Sequence, residues 1–328
     1  MGGVVGEAED SIDSGALSKS VRLRRSDFRF TQALDWDRGR LARTERTAKR
    51  RSEVEHFLEI LAPGGGWCGR AARGPSEELE WSRMENSRNI FIFDNHEQLA
   101  EAAAERFVNS AQEAIIQQGR FSVALAGGNT PKRVYELLAS ERFKGRVEWP
   151  KVHLFFGDER CVPPDHPDSN YRMANEALIT HVPIPPANVH RMAGEGEPSV
   201  SALLYETEMR QFVGNVTWPS FDLVLLGLGK DGHTASLFPQ TKALTEQGMW
   251  VVANWVESLG VHRLTMTAPV LNHGRRIIFL VTGSDKAKAL KEVLMGPRDP
   301  LRLPAQLIDP SEGTCEWLVD RDAAKLLS

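Results

Sequence analysis

The chain has 328 residues and a formal net charge of −4. That length holds one large or two small domains, and so small a charge gives no compositional case for a nucleic-acid binder. No apolar run approaches the ~20 residues of a membrane span. Cys68, Cys161 and Cys315 lie far apart with no C-x-x-C spacing, which argues against a zinc site or disulfide framework and suits a reducing compartment.

Residues 1–88 read differently from the rest. The stretch 19–51 is dense in arginine, including Arg22, Arg24, Arg25, Arg29, Arg38, Arg40, Arg43, Arg46, Arg50 and Arg51, with few apolar residues and no sustained period. Residues 61–66 (Leu-Ala-Pro-Gly-Gly-Gly) have the composition of a linker. A transit peptide is disfavoured by Glu7, Glu9, Asp10 and Asp13 at the start. The reading taken is an Arg-rich leader over 1–88, either a disordered tail or an over-extended reading frame, with Met84 standing just before the domain at 89–328.

From there the pattern predicts strands over 90–93, 121–125, 152–156, 222–226, 250–253, 263–267 and 277–281. Helices are expected over 97–118, 132–140, 171–180, 201–212 and 286–294. In the first of these, Leu99, Ala103, Phe107, Ala111 and Ile115 recur about once per turn, as core positions do. Strands alternating with helices give an α/β fold: a mostly parallel, Rossmann-like sheet with helices on both faces.

Three strands run into chemistry. After residues 121–126 comes Gly127-Gly128-Asn129-Thr130-Pro131, where Thr130 is able to cap a helix and Pro131 suits its first position. Such a turn offers free backbone N–H groups to an anion. After 152–156 comes Gly157-Asp158-Glu159-Arg160; Cys161, next to it, is read as a packing residue rather than a nucleophile. The apolar run from Phe221 to Leu226 breaks into Gly227-Leu228-Gly229-Lys230-Asp231-Gly232-His233. Asp231 and His233 follow a strand end, where ligands of open parallel sheets bind, and Gly232 lets the chain bend so that both face one cavity. An imidazole beside a carboxylate is an arrangement for general base catalysis.

In this order the segments closely resemble the 6-phosphogluconolactonase family. The matches are 127–132, 157–160 with 164–171, 227–239, 263–267 with 269–272, 282–287 and 303–307, spanning residue 89 to the C-terminus. The resemblance implies a glucosamine-6-phosphate deaminase-like fold and a cytosolic enzyme of the oxidative pentose phosphate route. Its implied reaction opens 6-phospho-D-glucono-1,5-lactone to 6-phosphogluconate with no metal or organic cofactor. It further implies no nucleic-acid or membrane partner, and a functional link to glucose-6-phosphate dehydrogenase that needs no stable complex.

The family's water-activating histidine falls on His233. Asp231 or Asp158 would orient the imidazole, and the sequence leaves both open. For the phosphate, the candidates are Gly127, Gly128, Asn129, Thr130, Arg160, Arg263 and Lys286. Two departures stand out: Ala126 and Asn129 replace serines frequent in the family, and Gln240 stands where glycine is common, expected only to alter a turn. A related amino-sugar-phosphate deaminase would carry an acid after the Asp-Gly-His motif, whereas residues 234–239 contain none. A sugar-phosphate sensor would need a helix-turn-helix upstream, and the leader lacks a convincing amphipathic pair. Asn215-Val216-Thr217 matches a glycosylation acceptor but has no secretory signal to give it meaning.

Overall fold

Strands with no polar alternate need cover on both faces, and that requirement organises the molecule. The computed structural model describes residues 89–327. The expectations for the Arg-rich leader, its boundary at 88, Met84 and Cys68 lie outside the described residues. In chain order the elements are β1 (Ile90–Phe93), α1 (His96–Gln118), β2 (Phe121–Leu125), α2 (Asn129–Ala139), β3 (Val152–Phe156), β4 (Asp158–Arg160), α3 (Asn170–Ala177) and α4 (Pro198–Val213). They continue with β5 (Leu223–Gly227), β6 (Val251–Val256), β7 (Val261–Met266), α5 (Ala268–Asn272), β8 (Arg276–Val281), α6 (Ala287–Met295), β9 (Thr314–Asp320) and α7 (Arg321–Ala324).

Six strands form one parallel sheet in the order β1-β9-β8-β5-β2-β3. Every residue of β2 is buried, as are the last five of β8. Because successive side chains point to opposite faces, both faces of the sheet are covered. Helix α1 buries Leu99, Ala103, Phe107, Ala111 and Ile115, the positions its period singles out. Its start is capped by Asn95, whose Oδ1 accepts from the Gln98 N–H at 3.0 Å, a contact of about 1 kcal/mol.

Three expectations need correction. The strands near 250 and 265 are not in the parallel sheet: β6 and β7 join β4 in a separate antiparallel sheet ordered β4-β7-β6. The reason is the connection, since residues 257–260 are too few for a parallel crossover and Gly260 turns the chain at φ 64°. Strand β9, absent from the sequence reading, lies inside the main sheet between β1 and β8. Thr130 does not cap α2: the helix begins at Asn129, the cap position is Gly128 at φ 101°, and no side chain caps it. Pro131 is therefore the third helical residue, two positions deeper than expected, while the Thr130 hydroxyl meets that of Thr282 at 2.7 Å.

The chain passes from one sheet to the other at Gly157. Its N–H donates to the Leu125 carbonyl at 2.9 Å, and its own carbonyl accepts from Met266 at 2.8 Å. From β2 the chain moves outward to β3, but from β5 it moves the other way to β8. Neighbouring strands β2 and β5 therefore bracket the point where strand order reverses, and a crevice opens at their carboxyl ends. Among the described residues no helix is long and apolar enough to cross a membrane, and no group of three His, Cys, Asp or Glu side chains could hold a metal.

Candidate active site

A cavity of about 270 Å³ occupies that crevice. Of the expected residues, Gly127, Gly128, Asp158, Arg160, His233 and Lys286 line it. Larger hollows lie elsewhere, beside Trp317, along β6 and between α2 and α3, and none of these contains the Asp231–His233 motif.

The loop after β5 is folded to bring two side chains together. His233 Nδ1 lies 2.5 Å from Asp231 Oδ1, and the same oxygen accepts the His233 backbone N–H at 3.2 Å. A carboxylate can only accept, so Nδ1 carries a proton, and in the neutral ring Nε2 then presents a lone pair. Nε2 has no hydrogen-bond partner among the described residues. Partial desolvation pushes the Asp231 carboxyl upward, but the hydrogen bond and charge of His233 outweigh it and hold the group below the ordinary carboxylate value. The imidazole stacks on Phe238 with ring centroids 4.1 Å apart.

Gly229 makes the pairing possible. A Cβ there would stand 2.1 Å from His233 Nδ1 and 2.5 Å from Asp231 Oδ1. Behind the loop, Gly232 sits at φ 80° against Leu303, and its carbonyl accepts from Ala305 at 2.9 Å. The motif at 303–307 thus buttresses the histidine loop from outside the cavity.

Asp158 does not reach the imidazole. Its Oδ2 accepts from the Ser236 hydroxyl at 2.6 Å and its Oδ1 from Asn170 Nδ2 at 3.3 Å. Between the two carboxylates the sequence left open, Asp231 is the one bonded to His233. Asn170 also packs on the β2 turn: a Cβ at Gly127 would meet its Oδ1 at 1.9 Å. Neighbouring Glu159 is buried and accepts from the N–H groups of Arg160, Asn170 and Tyr171 and from the Ser169 hydroxyl. Burial raises its carboxyl despite those donors.

The cations fall into two groups. Arg160 and Arg263 are register partners across β4 and β7. Arg160 donates to the Asp168 carbonyl. Arg263 is intermediate in exposure and has no ion-pair or hydrogen-bond partner among the described residues. Burial, then the charge of Arg160, lowers its guanidinium from the ordinary value. On the opposite rim, Lys286 lies 3.6 Å from Asp285, which Lys230 also approaches at 3.3 Å.

Asn129, Thr130, Asp231 and Arg263 stand outside the cavity lining. Cys161 is half-buried against the core, and burial raises its thiol, as suits a packing residue. Residues that sequence reasoning did not single out are Gly229, Asn170, Ala235, Ser236 and Phe238, all lining the cavity. The signal for Gly229 was its place one step before the Lys-Asp-Gly-His turn; Ser236 and Asn170 gave none beyond lying in the quoted motifs.

Residues 94–317 match the family described as glucosamine-6-phosphate isomerases/6-phosphogluconolactonase. A protein of Synechocystis sp. named 6-phosphogluconolactonase is 43% identical over 241 residues, covering 73% of this chain and 98% of that protein. An Oryza sativa subsp. indica protein named "Probable 6-phosphogluconolactonase 3, chloroplastic" is 36% identical over 251 residues, covering 73% of this chain and 76% of its own length. The solved structure of 6-phosphogluconolactonase from Trypanosoma brucei has a TM-score of 0.65 and 30% identity, covering 74% of this chain and 99% of its own. The switch-point cavity and these likenesses agree: the chain belongs to the glucosamine-6-phosphate isomerase/6-phosphogluconolactonase family.

Proposed function

We propose that the chain hydrolyses 6-phospho-D-glucono-1,5-lactone to 6-phospho-D-gluconate, with His233 activating the attacking water. The observation that carries this reading is the bond between His233 Nδ1 and Asp231, which leaves Nε2 as a base at the mouth of β5. A lactone is an ester, so water attack on its carbonyl needs that base. Nε2 takes a proton from water as the C–O bond forms. Collapse of the tetrahedral intermediate breaks the ring C–O bond, and the imidazolium returns the proton to the departing oxygen. Asp231 holds the ring and stabilises its charged form.

The remaining residues suit the substrate's other end. A phosphate calls for fixed cations and backbone donors, and Arg160, Arg263, Lys286 and the Gly127–Gly128 turn supply both kinds of group. Asp158, already held by Ser236 and Asn170, shapes the wall between them. The test is loss of the phospholactone followed with purified full chain and no added metal, against its spontaneous hydrolysis. No acceleration over the blank sinks the reading.

The same assay on a chain starting at Met84 tests the boundary, because 73% of this chain covers 98% of the Synechocystis relative; inactivity of that shorter chain would place the leader in the enzyme. A cytosolic setting, feeding from glucose-6-phosphate dehydrogenase by free diffusion, goes with this reading. Recovery of the protein in plastids, or in a stable complex with that dehydrogenase, would overturn it.

A further inference from the structure

The base and the two arginines stand on different sheets. His233 follows β5 of the parallel sheet, whereas Arg160 and Arg263 belong to β4 and β7 of the antiparallel one. A substrate held by its phosphate at the arginines reaches Nε2 correctly only if the span between the sheets is fixed. The short strap 234–236 crosses that span. Thr234 ties to the parallel sheet, its hydroxyl donating to the Gly227 carbonyl at 2.8 Å. Ala235 turns the chain at φ 46°, a conformation that is strained for a side-chain-bearing residue. Ser236, 1% exposed, then bonds all three strands of the other sheet. Its hydroxyl donates to Asp158 of β4 at 2.6 Å, its N–H donates to Thr265 Oγ1 of β7 at 3.2 Å, and its carbonyl accepts from Asn254 of β6 at 2.9 Å.

We propose that Ser236 is a positioning residue, which sets the distance from His233 to the Arg160–Arg263 pair through its bond to Asp158. The hydroxyl is the only one of its three contacts that a side-chain change removes. Asp158 leads directly along β4 to Arg160, and its register partner Thr265 lies two residues from Arg263, so the one bond reaches both cations. The proposal rests on the reading of the site as a phospholactone hydrolase. It adds to it a role for a residue that touches neither reacting atoms nor phosphate.

The experiment compares two substrates, 6-phosphogluconolactone and unphosphorylated gluconolactone, in wild type, Ser236→Ala and the size-preserving Ser236→Cys. A loosened span penalises only the substrate anchored at the arginines. In both variants kcat on the phospholactone is expected to fall about 10–100-fold, as misplacement by a fraction of an ångström to an ångström does. The phospholactone KM and the rate on plain lactone stay within about 3-fold of wild type by the same argument. An unchanged ratio of the two rates overturns the proposal, whether both rates fall together, as for a purely structural residue, or neither falls. A wild type with no preference for the phospholactone sinks the hydrolase reading itself, an outcome separate from loss of the Ser236 effect.

Discussion

Arg160 and Arg263 face each other directly across β4 and β7, two guanidinium groups on one face of a three-stranded sheet. Like charges in such a pair repel, and partial burial of Arg263 worsens the conflict. The charges of Asp158 and Asp168 offset that conflict only in part, and no carboxylate pairs with Arg263 among the described residues. An arrangement that costs stability in the free protein is relieved by an anion.

The first prediction follows with two signs. Arg263→Met should leave the free protein as stable as wild type or more so, measured by thermal unfolding without ligand. It should raise KM for the phospholactone by about one to two decades, the 1.5–3 kcal/mol of a charge-assisted contact, while plain gluconolactone is little affected. Equal losses on both lactones would mean that Arg263 supports the reacting centre or the fold.

The acid limb of the pH profile supplies the second. Asp231 has its carboxyl lowered, so it stays ionised as the pH falls below the range of an ordinary carboxylate. Its contribution to stability is therefore complete above the unfolded value of about 3.9 and is lost only as pH drops through the lower folded value. Between about pH 5 and 8 Asp231 does not titrate, and the acid limb of kcat/KM should have a slope of one. A slope of two would show that Asp231 takes up a proton in the same range. His233→Ala should lower kcat by roughly 10²–10⁴-fold, and spontaneous hydrolysis, which rises with pH, has to be subtracted throughout.

Much of this site was legible because its chemistry is local. Asp231 and His233 are two residues apart at the end of an apolar run, and Arg160 follows another such run. Ser236 was not legible, since its meaning depends on Asp158, 78 residues away in the chain. The same holds for Asn170, whose partner at the β2 turn is defined only once the two loops meet. Thr130 was misread because glycine at φ 101° starts the helix earlier than a threonine cap would. The strand at Thr314–Asp320 was missed where Cys315, Trp317, Leu318 and Val319 sit at the chain's end, after a loop of Pro and Gly. In the antiparallel sheet β6 and β7 were legible as strands but the three-residue β4 was not, and the pairing of β6 with β7 was missed because its direction is set by a four-residue turn rather than by the strands' own composition.

Gly229 yields a prediction that separates fold from chemistry. Gly229→Ala places a methyl group 2.1 Å from His233 Nδ1, so the imidazole or the Asp231 carboxylate must move. Both side chains are partly exposed, at 28% and 48%, and can swing outward without opening the core. Stability should then change by less than about 1 kcal/mol, within the range of surface substitutions with modest strain. The loss in kcat should approach that of His233→Ala, roughly 10²-fold or more. Near-normal turnover in a folded Gly229→Ala protein would show that the His233–Asp231 contact is dispensable.

The final prediction concerns Gln240, where the family commonly has glycine. It is one of three non-glycine residues with positive φ among the described residues, at 59°. The position is not free to relax: its N–H donates to the Leu301 carbonyl at 3.0 Å, just after the Phe238 ring that stacks on His233. A side chain in the left-handed region costs about 1–2 kcal/mol, and glycine removes that cost while loosening the unfolded chain by up to about 1 kcal/mol. Gln240→Gly should therefore be neutral to stabilising by about 1 kcal/mol, with kcat/KM on the phospholactone unchanged. Chemical denaturation with kinetics in parallel checks both halves. Destabilisation beyond about 0.5 kcal/mol would mean that the Gln240 side chain makes contacts worth more than its strain, and that the departure from glycine is held in place by the groove along β6 rather than tolerated in a turn.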